Sequence, residues 1–475
     1  MLTESQDLSR SEAILYTLIG YKLLLLAIGL WASRRTRDNE DFFLGGRGLG
    51  PWVAAISASA SSSSAWTLLS VSGMAYLWGW PALWLFPATL LGFLINWIWV
   101  APRLRRMAGA TGDITLAGFL AGPAGAPGRG RLLATGAVII LFSFLFYIAA
   151  QFQAAGHAFA SAFDLDMNRA VAIGAAVILV YTLLGGFWAV SVTDTLQGLL
   201  MAATALILPL IGLAAVGGPG ELADALAVTA GGATPTGGTL PATIGFVAGT
   251  LGIGLGYPGQ PHVVNRFMAL KSDRALAKAR VIAIAWAVVI YSGMLLVGLC
   301  ARALYAGILE PESVLFELAD RLIAPVVAGV MIAAVLSAVM STADSQLLVA
   351  ASSVSEDLAR ARGRPVRGLS ASRWVVALIC LLAAAIALLV PDTIFRRVLF
   401  AWHAVGSAFG PLLIVILLDR RPPPGQALAA MLTGFLLTVG LHWLPDTPGD
   451  WAERLVPFLA ASAVAGFRLT PGHRS

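Results

Sequence analysis

Charge is what this sequence has least of. Asp, Glu, Lys and Arg make up 12% of its 475 residues, about half the share a soluble domain carries. With 58% of the residues hydrophobic and a mean hydropathy of +0.82, the chain is expected to live in a lipid bilayer. Cysteine is almost absent. Cys300 and Cys380 both sit in apolar runs, which excludes a disulfide framework and a CxxC metal site. The five His are scattered without ligand spacing. No GxxxxGK[ST] loop, HExxH or GxSxG constellation occurs, so neither a nucleotide-driven motor nor an intramembrane enzyme is expected. The opening residues, MLTESQDLSRSEA, are polar and acidic and do not read as a cleavable signal. The basic run 360-RARGRPVR-367 is too short to argue for nucleic acid. Its simpler reading is an anchor at anionic lipid.

What the sequence has in plenty is apolar runs of near-spanning length. Thirteen are read, at about 12–33, 51–76, 81–101, 132–155, 168–189, 195–216, 241–260, 277–301, 322–349, 372–390, 394–418, 426–444 and 451–467. The runs are continuous rather than alternating, so helices and not barrel strands are expected. Lys and Arg crowd every second loop, in clusters such as Arg103, Arg105 and Arg106, or Arg266, Lys271, Arg274, Lys278 and Arg280. The positive-inside rule then places the N-terminus outside and the C-terminus in the cytoplasm, an orientation that an odd number of spans also requires. The location expected is the inner (plasma) membrane.

Two spans are interrupted. One carries 57-SASASSSSA-65, with six hydroxyls in nine residues; the other ends in 252-GIGLGYPGQP-261, with four Gly and two Pro. Broken backbone at membrane depth is tolerated only where its freed groups are buried in protein or line a cavity. The two lie five spans apart, as the sites of inverted-repeat transporters do. The domain reading follows. Residues 1–50 form an extra helix and basic loop, 51–216 a first repeat, 241–418 a second, inverted repeat, and 419–475 the C-terminal helices. Taken singly, each interruption is equally well read as close helix packing or an ordinary kink.

Four stretches then carry a family resemblance: 181-YTLLGGFWAVSVTDTLQGLL-200, 255-LGYPGQPHVVNRFMAL-270, 331-MIAAVLSAVMSTADSQLLVAASSVSEDL-358 and 402-WHAVGSAFGPLL-413. With them the chain resembles the sodium:solute symporters, most nearly their sodium/proline branch, over about residues 12–445. The resemblance implies an all-α, leucine-transporter-like five-plus-five inverted repeat, a small solute and sodium as partners, and Na+ as the coupling ion.

Ala338, Ser341, Thr342 and Ser345 are spaced i, i+3, i+4, i+7 and share a helix face. Sodium is a hard cation that takes oxygen ligands, as calcium and magnesium do. The resemblance implies a principal sodium site from the Ala338 carbonyl, the Ser341 and Thr342 hydroxyls, and the carbonyls of Ala60 and Ser63. The plainer alternative is that these hydroxyls bond back along their own helix. Where the proline branch has an acidic residue, this chain has Ser62, which leaves the site neutral. Relatives with a second ion site use the positions of Asp194, Ser341, Asp344 and Ser345. Carboxylates at membrane depth are functional candidates, for sodium or for a proton, although Asp194 also reads as a helix cap near the cytoplasmic edge.

The solute cavity is expected between the broken helices, with Tyr257, Gln260, Tyr147 and Gln151 as candidate contacts and packing as the alternative for each. Half-helix N-termini suit a carboxylate, which favours an amino or organic acid. Ile253 and Pro258 replace the Trp and Phe of the proline branch. The reading is a sodium-driven symporter working by alternating access. A proton-coupled carrier of the same fold and a carrier-like sensor are the alternatives.

Overall fold

The computed structural model describes residues 2–33, 49–113, 115–184, 187–228, 238–363 and 369–467. Among them there is no β-strand, only one isolated parallel bridge between Leu49 and Leu270. Everything else regular is helix, as a chain must be where lipid cannot hydrogen-bond its backbone. A helix occupies each of the thirteen expected ranges. Nine helices among the described residues are long and apolar enough to cross a bilayer.

Helix α1 runs Leu2–Ser33. The second span is split into α2 (Pro51–Ser62) and α3 (Val71–Trp78), with a π-helical turn at Trp66–Ser70 between them. After a third span at Trp80–Ala110 come α4 (Arg129–Phe163), α5 (Met167–Leu184) and α6 (Phe187–Val216). The seventh span is split again, into α7 (Leu240–Gly252), a 3-10 turn at Ile253–Gly259, and α8 (Pro261–Met268). After it follow α9 (Asp273–Leu304), α10 (Pro325–Ser352), α11 (Leu369–Leu389), α12 (Ile394–Leu417), α13 (Pro424–His442) and α14 (Trp451–Gly466).

The hydrophobic segments expected at 132–155 and 241–260 are longer in the structure. The second difference matters, because the seventh span does not end at its Gly/Pro run. Gln260 turns extended (φ −84, ψ 104) and Pro261 restarts a helix at its first position, where the missing N–H costs nothing. Arg266 therefore lies in the last turn of α8 and is 1% exposed. It is not a loop residue, and the basic-loop reading of it is corrected.

Burial sorts the helices. In the apolar windows of α10 and α12, 83% and 89% of residues are buried, against 28% in α11 and in α13. So α10 and α12 form the centre and α11 and α13 the lipid-facing wall. Helix α12 reaches the 3-10 turn because glycines let it. A Cβ on Gly256 would fall 2.1 Å from Trp402 Nε1, and one on Gly259 would fall 2.7 Å from the Gly406 backbone.

Candidate functional site

Helix α2 stops because Ser63 leaves helical geometry (φ −95, ψ 70). The backbone groups freed there find side-chain partners. The Ala65 N–H donates to Gln151 Oε1 of α4 at 3.2 Å, and the Trp66 N–H donates to Ser64 Oγ at 3.2 Å. Tyr147 O–H donates to Ser64 Oγ (3.4 Å), and Trp286 Nε1 donates to Ser63 Oγ (3.0 Å). Part of the serine run thus replaces backbone partners lost at a break, and Ser62 bonds back to the Ser59 carbonyl at 2.9 Å.

Helix α10 faces this break. Ser341 Oγ lies 3.3 Å from the Ala60 carbonyl and 3.2 Å from the Ala338 carbonyl, and Thr342 Oγ1 donates to the Ser61 carbonyl at 3.0 Å. Ala60, Ala338, Ser341 and Thr342 are therefore brought together as a buried set of neutral oxygens. Ser63 lies on the break itself, and its hydroxyl accepts from Trp286. The Ser61 carbonyl is a further member of this set that sequence reasoning did not name.

Three of the four solute candidates, Tyr147, Tyr257 and Gln260, meet Trp402 of α12. Gln260 Nε2 donates to the Trp402 carbonyl at 2.8 Å, and the Trp402 indole donates to the Ile253 carbonyl at 3.1 Å. Tyr257 and Tyr147 place their rings 4.7 and 6.5 Å from the Trp402 ring, and His262 lies 6.0 Å from Tyr147 and 6.5 Å from Trp402. Tyr257 O–H also meets Tyr291 O–H at 3.0 Å. Gln151 Nε2 and Gln260 Oε1 are buried and make no hydrogen bond. Sequence reasoning missed Trp402 and His262 as members of this cluster. The stretch 402-WHAVGSAFGPLL-413 signalled the family without saying which way its aromatic pointed.

The second ion candidates part company. Asp194 is fully buried within α6, one helical turn or more from its start, so it does not cap that helix. Its Oδ2 accepts from Ser57 Oγ at 2.7 Å and from Arg266 Nη2 at 2.8 Å. Ser345 Oγ accepts from the same Arg266 nitrogen at 2.6 Å. Asp344 accepts instead from Thr182 of α5. Arg266 was not among the expected site residues. Its signal in sequence was a basic residue nine positions after Tyr257, too close to the break to be outside the membrane.

The comparisons of sequence point to one family. Residues 42–434 match the model of the sodium:solute symporter family. The high-affinity proline transporter PutP of Bacillus subtilis (strain 168) is 34% identical over 461 residues, covering 93% of this chain and 94% of that protein. The osmoregulated proline transporter OpuE of the same strain is 35% identical over 474 residues, covering 96% and 94%. The sodium/proline symporter of Staphylococcus aureus (strain bovine RF122 / ET3-1) is 34% identical over 441 residues, covering 89% and 85%. Among solved structures, a Na+-coupled sialic acid symporter in a substrate-bound outward-open state aligns with a TM-score of 0.78 at 18% identity, over 97% of this chain and 99% of that one. The nucleobase-cation-symport-1 family transporter Mhp1 aligns at 0.56 and 13% identity, over 90% and 94%. At these identities the structural likeness speaks for the fold alone.

Proposed function

Because this chain belongs to the sodium:solute symporter family, we propose that it imports a small amino or organic acid together with sodium by alternating access. It is a transporter rather than an enzyme, a multi-pass protein of the plasma membrane, and sodium is its coupling ion. The solute is the proposed part. Relatives named for proline favour an amino acid. Ile253 and Pro258, in the turn that meets Trp402, set a pocket that differs from the proline branch. The fold is read as a leucine-transporter-like five-plus-five inverted repeat, with repeats at 51–216 and 241–418, the added N-terminal helix within 1–50 and the C-terminal helices within 419–475. The N-terminus lies outside and the C-terminus in the cytoplasm.

One observation carries the mechanism. The same broken stretch holds both candidate sites. Ala60 and Ser61 offer carbonyls to the hydroxyls of Ser341 and Thr342, while Ser64 and Ala65, three to five residues on, are held by Tyr147 and Gln151. Sodium drawn to Ala60, Ser63, Ala338, Ser341 and Thr342 would fix the last turn of α2 against α10. That turn sets where Ser64 and Ala65 sit beside the solute. The solute would rest among Tyr147, Gln151, Tyr257, Gln260 and Trp402, its polar groups meeting Gln151 Nε2 and Gln260 Oε1. Coupling then needs no distant relay, because ion and solute order the same few residues.

The test is thermal stability of the purified full chain in sodium against potassium, over a panel of amino and organic acids that includes proline. A ligand of the native state raises apparent stability by mass action. The expected result is a sodium-specific rise that one solute enlarges. A solute shift that ignores sodium and follows pH would overturn the reading and give the coupling to a proton, with Asp344 as its first candidate.

A further inference from the structure

We infer that a cavity at the face read as cytoplasmic holds the phosphate headgroup of an anionic phospholipid, with Arg421 as its charged partner. The cavity has a volume of about 180 Å³ and lies where the connection between α12 and α13 meets the short helix Leu116–Ala121. Its wall is apolar, built in part from Leu120, Pro123, Leu412 and Ile416, and among the described residues Arg421 is its one charged lining residue. The guanidinium is laid along that wall. It sits 5.8 Å from the centre of the Phe119 ring, and Nη2 donates to the Phe119 carbonyl at a long 3.5 Å. Gly122 makes room for it, since a Cβ there would fall 3.0 Å from Nη1.

The charge of Arg421 is unspent. Among the described residues no carboxylate pairs with it. Asp113 acts on it electrostatically but is itself paired with Arg129 at 3.6 Å. One long bond to a carbonyl leaves most of the guanidinium's N–H donors for a ligand, and a planar fork of donors matches phosphate. Two observations favour a lipid over a soluble anion. Helix α13 belongs to the lipid-facing wall, and Pro424 and Ala427 of its first turn line the cavity. The cavity therefore lies at the edge of the bilayer, and its apolar wall suits the glycerol backbone and first methylenes of a lipid, which a free phosphate lacks. The two segments that meet there carry Arg129, Arg131, Arg420 and Arg421 against Asp113 and Asp419. Basic residues near an anionic leaflet are each drawn to it by about 1 kcal/mol. A phosphate seated at Arg421 would join the α12–α13 corner to the helix Leu116–Ala121. The N-cap of that helix, Thr115, already donates to Asp357 Oδ1 beyond the end of α10, at 2.8 Å. The lipid would thus brace the inner ends of α10 and α12.

Melting of the purified, delipidated full chain in a neutral detergent tests the inference. It needs neither sodium nor solute, so its result is independent of the transport reading. Dioctanoyl phosphatidylglycerol should give a saturable rise in melting temperature. Dioctanoyl phosphatidylcholine and inorganic phosphate should not. Arg421→Gln should raise the half-maximal lipid concentration about tenfold or more, while Arg420→Gln, next in the chain but outside the cavity lining, should leave it unchanged. Ala126→Trp, which fills the cavity from a lining position and keeps the charge, should also abolish the rise. An equal rise with phosphatidylcholine, or an unchanged response in a folded Arg421→Gln or Ala126→Trp, would each overturn the inference. A rise with inorganic phosphate alone that Arg421→Gln removes would overturn the lipid and give the site to a soluble anion.

Discussion

Thr342 is the residue whose loss should be easiest to read. Its Oγ1 donates to the Ser61 carbonyl at 3.0 Å and is fully buried. Thr342→Val keeps the shape of the side chain and removes only the hydroxyl. Without sodium, the Ser61 carbonyl loses a donor, and the cost should be about 1–2 kcal/mol of stability. With sodium the loss is larger, because the hydroxyl oxygen would be one of roughly five ligands and a hydrogen-bonding partner of a charge is worth about 1.5–3 kcal/mol. The dissociation constant reports the difference between the two losses, about 0.5–1 kcal/mol, and every 1.4 kcal/mol is tenfold, so it should rise about 2- to 5-fold. Thr342→Ser restores the oxygen and should bind sodium as wild type does. The assay is the melting temperature of each purified variant as a function of sodium concentration at constant ionic strength. The midpoint of the rise reports the ion affinity separately from the baseline stability. If Thr342→Val lowers the baseline but leaves the midpoint where it was, the hydroxyl is helix packing and the site is wrongly placed.

Three other outcomes follow from the same contacts. Gly256→Ala should unfold or strongly destabilise the transporter, by roughly 3 kcal/mol or more for an overpacked core, because its Cβ would meet Trp402 Nε1 at 2.1 Å; melting of the purified variant decides it. Trp402→Phe keeps the ring but drops the bond to the Ile253 carbonyl, and should raise the solute KM about tenfold at unchanged sodium affinity, measured by uptake into proteoliposomes. Glu312 accepts from Ser70 Oγ and from the Ile394 and Phe395 N–H groups that begin α12, so Glu312→Ala should cost about 2–4 kcal/mol by leaving buried donors unpaired. Burial holds the Glu312 carboxyl above its ordinary range. Its contribution to stability is therefore fullest below the ordinary carboxyl range and is lost as pH rises through the raised value. Glu312→Gln should flatten that pH dependence in a melting series.

The interruptions were legible because Pro, Gly and clustered Ser have local consequences that no packing can hide. Pro258 and Pro261 cannot continue the α7 ladder, and the serine run stands out against WVAAI and WTLLS. The shared face of Ala338, Ser341 and Thr342 was legible for a similar reason, since helical spacing is arithmetic. Arg266 was not, because a charge count assigns a basic residue to the nearest loop, and only the restart of a helix at Pro261 carries it back inside. Trp402 was hidden differently. Helix α12 is buried around almost all of its circumference, so burial marks no single face as the one that meets the solute candidates. Asp194 and Asp344 read alike in sequence, as carboxylates in spans, and only their neighbours set them apart.

The bridge between Leu49 and Leu270 has a mechanical meaning. It ties the chain just before α2 to the chain just after α8, and Arg266 holds the two half-helices together again at Ser57. The two half-helices are thereby tied to one another at two places, and each leaves helical geometry at one residue, Ser63 in one and Gln260 in the other. In the alternating access proposed above, a shift of one half-helix would carry the other with it.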